Sequence, residues 1–83
     1  MIPDATKHRK DPKYVRALYE RIGKSQKWIA DRIGISERRF RYLIAGSREV
    51  EGKTVDVVLS YPEQFALECL AEAADMAGAM SIK

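Results

Sequence analysis

The chain has 83 residues, enough for one small domain, and a chain this short buries only about 60% of the surface it exposes when unfolded, so its stability margin is thin. Apolar residues at 46% and charged residues at 33% describe an ordinary globular protein, while one cysteine (Cys69) and one histidine (His8) exclude an internal disulfide, a four-ligand metal site and a zinc finger. The net charge of +3 conceals an asymmetry: residues 1–48 carry thirteen Lys/Arg against five Asp/Glu, and residues 49–83 carry two against seven.

A basic half joined to an acidic half fits a first half that meets a polyanion; the alternative is solvated helix surfaces that happen to differ in charge. No apolar run approaches the ~20 residues of a membrane span, and the opening MIPDATKHRK lacks the apolar core of a signal peptide. A cytoplasmic protein with no membrane contact is therefore expected, with no cofactor and no metal.

Residues 1–10 have no apolar periodicity and contain Lys7, His8, Arg9 and Lys10 in a row. They are expected to form a flexible basic arm, either a solvated tail or a groove-reading one. Asp11-Pro12 is a helix start, because Asp accepts from exposed first-turn amides and Pro suits the first helical position. Val15, Leu18 and Ile22 follow at helical spacing, flanked by Tyr14 and Tyr19, and Gly23 is a stop. Ser25 caps a second helix with Ile29, Ala30 and Ile33 inward, interrupted by Gly34. Ser36 caps a third, with Phe40, Leu43 and Ile44 inward and Gly46 at its end.

Residues 47–59 change character. Val50, Glu51-Gly52 and the β-branched run Thr54, Val55, Val57, Val58 predict a short β-hairpin over about 48–59, with a short helix from Thr54 as the competing possibility. Ser60-Tyr-Pro-Glu63 has capping-box spacing and announces a last helix over about 61–77. Its expected inward face is Phe65, Ala66, Cys69, Leu70, Ala73 and Met76, with Glu68, Glu72 and Asp75 on another side and fraying from Gly78. The expected fold is mainly α: a three-helix core, a hairpin and a C-terminal helix, with residues 11–83 as one small domain.

The informative stretch is Ser25–Gly46, SQKWIADRIGISERRFRYLIAG. Two short helices joined by about three residues cross steeply only under tight steric rules. A small residue must sit where the second helix crosses the first, and Ala30 fills that place. A residue that tolerates positive φ must follow in the turn, and Gly34 comes four positions later. Ile35 plugs the junction, and Phe40 and Leu43 bury the second helix.

With Gln26, Ile29, Ala30, Ile33, Gly34, Ile35, Ser36, Phe40 and Leu43 in these places, the segment resembles the helix-turn-helix of the Cro and λ-repressor-like (XRE-type) superfamily of phage and bacterial regulators. The resemblance covers about a quarter of the chain, or a little over a third with helix 12–22. It implies that helix 37–45 is a recognition helix whose N-terminal end enters the DNA major groove. Ser36, Glu37, Arg38, Arg41 and Tyr42 match its base-facing positions. Arg38 has the fork to pair with guanine O6 and N7, and Glu37 can accept from cytosine N4.

Gln26 and Lys27, at the positive end of the preceding helix, are candidates for the DNA backbone, with Arg39, Ser47 and Arg48. The three arginines could instead be a solvated face, and Trp28 is expected to pack against helix 12–22 or the C-terminal elements. The valine-rich segment and single last helix depart from the superfamily's usual further short helices.

The expected function is sequence-specific binding of double-stranded DNA, as a phage-type transcriptional regulator. A packaging or recombination-directionality adaptor is an alternative, as is a module that binds a protein partner such as a polymerase subunit. No enzyme is expected, since there is no phosphate-binding loop and no carboxylate pair placed for acid–base work. A homodimer is expected, through the edge of the 48–59 hairpin or the apolar face of helix 61–77.

Overall fold

A computed structural model describes residues 2–81, with four helices and one two-stranded hairpin lying between the third and fourth. Helix α1 spans Pro12–Ile22, α2 Gln26–Ile33 and α3 Glu37–Ala45. Each begins where a side chain satisfies a first-turn amide: Lys13 N donates to Asp11 Oδ1 at 2.9 Å, Trp28 N to Ser25 Oγ at 3.1 Å, and Arg39 N to Ser36 Oγ at 3.0 Å. Three residues join α2 to α3. There the Ala30 carbonyl accepts from both Gly34 N and Ile35 N at 3.0 Å, while Gly34 turns the chain at φ +83°.

Val15, Leu18 and Ile22 of α1 meet Ile29 and Ala30 of α2 and Phe40 and Leu43 of α3 in one buried cluster. The Tyr19 ring stands edge-on to Phe40, with centroids 5.8 Å apart. Ala30 is fully buried, as expected for the small residue at a helix crossing. Gly46 closes α3 against the start of α1: a Cβ there would come within 2.6 Å of Pro12 Cγ, and its φ is +83°.

Strands β1 (Ser47–Val50) and β2 (Lys53–Asp56) pair antiparallel, with Ser47 opposite Asp56 and Val50 opposite Lys53. Glu51 and Gly52 both have positive φ, 51° and 77°, as a two-residue hairpin turn of matching twist requires. The hairpin, and not a helix from Thr54, is the structure formed. Pairing stops at Asp56, short of residue 59, because Val57 N bonds back to the Gly46 carbonyl at 3.0 Å and Leu59 enters the core.

Helix α4 spans Tyr61–Ser81 and runs past the expected end at 77, since one glycine lowers helix propensity without terminating the helix. Its capping box is reciprocal: Ser60 N donates to Glu63 Oε1 at 2.8 Å and Glu63 N to Ser60 Oγ at 3.3 Å. The inward face differs from the one expected. Gln64, Leu67 and Ala71 are fully buried, whereas Ala73 and Met76 are exposed and Phe65, Ala66 and Cys69 only half-buried. Of the expected set, Leu70 packs against the core. The acids decide the rotation: Tyr14 donates to Glu68 Oε2, and Arg21 pairs with Asp75 at 2.6 Å, which lays α4 parallel to α1. Burial and then the Glu68 carboxylate push the Tyr14 hydroxyl up to about 12.

The basic segment before α1, expected to be a flexible arm, is tied to the rest of the chain over residues 4–9. Ala5–Lys7 form a 3-10 turn capped by Asp4. Asp4 N donates to the Tyr61 hydroxyl at 2.6 Å, His8 Nε2 to the Leu59 carbonyl at 2.7 Å, and Arg9 N to Gln64 Oε1 at 2.7 Å, while Gln64 Nε2 donates to the Lys7 carbonyl at 3.0 Å. A buried amide must find partners, and Gln64 finds them in the segment that covers it. Lys7, Arg9 and Lys10 still present their side chains to solvent.

Candidate nucleic-acid interface

Helix α3 buries Phe40 and Leu43, and 100° per residue then puts Glu37, Arg38, Arg41 and Tyr42 in one outward arc of about 140°. Glu37, Arg38 and Arg41 are exposed, and Tyr42 is half-buried. Among the described residues, Arg38 and Arg41 meet no hydrogen-bond or ion-pair partner, so both guanidiniums are available to an incoming acceptor. Ser36 Oγ accepts from Arg39 N at 3.0 Å, which leaves its hydroxyl proton free to donate outward.

Arg48, on β1, stands over the Tyr42 ring with its guanidinium carbon 5.9 Å from the centroid. Between α3 and the hairpin lies an open groove of about 460 Å³, whose wall is Ser36, Arg38, Tyr42 and Arg48 and whose far side is Val55 to Val58. Five of the expected contact residues, counting Arg39, thus share one surface. Ser47 is half-buried at the start of β1. Glu37 and Arg41 lie on the open face of α3 outside the groove. Gln26 and Lys27 sit at the start of α2, where Lys27 pairs with Asp31 at 3.1 Å. That pair is exposed and worth only about 0.3–0.5 kcal/mol, so a phosphate can displace it.

Arg39, a candidate for the DNA backbone, is engaged within the chain. It turns away from the outward arc and grips Glu63 with two bonds, Nε to Oε2 at 2.8 Å and Nη2 to Oε1 at 2.9 Å. The Glu63 bond holds the guanidinium charged against the cost of burial. Burial by itself would raise the Glu63 carboxyl, but Arg39 and Ser60 outweigh it and hold the carboxyl below the usual glutamate value. The pair fastens α3 to the start of α4, 24 residues away. In the sequence Glu63 is legible only as a capping residue, and no local pattern signals its partner 24 residues away.

Trp28 is half-buried at the margin of the core, with Arg32 4.8 Å and Lys24 5.5 Å from its ring centroid. Among the described residues no cluster of His, Cys, Asp or Glu could hold a metal ion, and no helix is long and apolar enough to cross a membrane. No protein-family model matches the chain, and comparison with curated proteins finds no relative.

Proposed function

We propose that this chain binds double-stranded DNA sequence-specifically, with α3 lying in the major groove, as a phage-type transcriptional regulator of the Cro and λ-repressor-like kind. One observation carries the proposal: Arg38 and Arg41, unpaired and exposed, lie on the arc of α3 opposite its buried Phe40 and Leu43, just beyond a three-residue turn from α2. Arg38, one residue into α3, has the reach for a bidentate contact with guanine, and Glu37 for a cytosine amine. Arg48, beside Tyr42, and Lys27, at the start of α2, supply backbone contacts that set register without reading sequence. The thirteen cations of residues 1–48 provide the electrostatic attraction. One nine-residue helix covers few base pairs, so a pair of copies on two half-sites is the functional form.

Titration of duplex DNA against the protein at several salt concentrations tests this. Affinity should fall steeply with salt as condensed counterions are released. Arg38→Ala should weaken binding to the preferred site by about 1–3 kcal/mol and barely change binding to random duplex. Lys27→Ala should weaken both alike. Equal losses on both duplexes for Arg38→Ala would leave α3 without a base-reading role.

A further inference from the structure

The groove between α3 and the hairpin is charged on one wall and apolar on the other. Val55 and Val58 line it and are 43% and 41% exposed, facing the side of α3 that bears Arg38 and Tyr42. A phosphodiester strand, charged along its whole length, uses only the guanidiniums of such a site. A ligand with an apolar body and one anionic end uses both walls. The volume of about 460 Å³ suits one, since small-molecule sites run from about 300 to 1,000 Å³, with apolar walls and a few polar groups that fix orientation. Here the Tyr42 ring lies under the Arg48 guanidinium, and the Ser36 hydroxyl keeps a proton to donate. The charge count narrows the choice. Three guanidiniums (Arg38, Arg39 and Arg48) meet two carboxylates, Asp56 in the groove and Glu63 bonded to Arg39. The single positive charge left over is balanced by one carboxylate and exceeded by a phosphate dianion.

We propose that this groove binds a small aromatic monocarboxylate, and that the bound ligand excludes DNA. The carboxylate takes Arg38, Arg48 and the Ser36 hydroxyl, and the ring lies between Tyr42 and the valines. The exclusion rests on the reading of α3 as a DNA-binding helix, because ligand and duplex then need the same Arg38 and Arg48. A ligand that binds only the DNA-free protein weakens duplex affinity by the factor 1 + [L]/Kd.

Cinnamate is the probe, followed through the backbone amides by NMR at constant ionic strength. It should shift the amides of residues 36–42, 48 and 55–58 along one saturable isotherm, with a dissociation constant on the order of millimolar. Acetate lacks the ring and cinnamyl alcohol lacks the charge, so each should bind at least about tenfold more weakly. Arg48→Ala and Val58→Glu, both at exposed positions, should each weaken cinnamate binding at least about fivefold and leave amides outside the groove in place. With duplex present, cinnamate at about ten times its dissociation constant should lower duplex affinity about elevenfold. Acetate binding as well as cinnamate, shifts centred outside the groove, or duplex affinity unchanged at saturating cinnamate would each overturn the proposal. The titration without DNA separates the two readings. A protein that takes cinnamate in the groove and binds no duplex loses the DNA-reading role of α3, and with it the exclusion, but keeps the ligand site.

Discussion

Gly46 and Pro12 approach so closely that no side chain fits between the end of α3 and the start of α1. Gly46→Ala should therefore cost about 2–3 kcal/mol, combining left-handed strain with a steric clash. Gly34→Ala, with nothing within 4 Å of the added carbon, should cost only the strain, about 1–2 kcal/mol. Urea unfolding of the two variants measures the difference, and equal losses would mean that Pro12 yields. Both glycines are legible in the sequence, because a helix stop is a local event governed by φ. The caps Asp11, Ser25, Ser36 and Ser60 are legible for the same reason. Arg39 is not. In sequence it is one of three arginines on a basic helix, and only folding brings Glu63 to 2.8 Å from it.

That ion pair joins two elements and makes their docking pH-dependent. The folded Glu63 carboxyl is held below its ordinary value of 4.5, so its contribution to stability is complete above that value and is lost as the pH falls through the lower folded value. Glu63→Gln should therefore unfold more easily at neutral pH and show a shallower loss of stability on acidification than the parent. Urea midpoints measured from neutral pH down to about 3 test this; parallel curves would contradict it. At the same scale the helical periodicity located α1 to α3 and their inward residues correctly, because each has one apolar stripe. It misplaced the inward face of α4, where alanines and larger apolar residues surround the helix. Polar contacts that no periodicity encodes, Glu68 with Tyr14 and Asp75 with Arg21, set the rotation. The fully buried Gln64, which fastens residues 7–9, likewise looks like a surface residue in sequence.

Across the whole molecule, the division into a basic first half and an acidic second half takes a three-dimensional form. Arg38 of α3 and Arg48 of β1 border one groove, and Glu63 and Asp75 of α4 secure that helix to α3 and α1. Residues 55–58 form the far side of the groove, and the N-terminal segment is bonded to α4 through Tyr61 and Gln64. Of the expected site, Ser36, Arg38, Arg39, Tyr42 and Arg48 converge on the groove, Glu37 and Arg41 share the open face of α3, and Arg39 is held there by Glu63. The proposed function requires that this face read DNA. The most direct test is selection from a random duplex library at physiological salt, run with the parent protein and with Arg38→Ala. The parent should enrich one motif, repeated in inverted orientation about one helical turn apart, and Arg38→Ala should lose preference at a guanine of each half-site. No enrichment by the parent, or the same motif recovered unchanged with Arg38→Ala, would leave this face without a base-reading role.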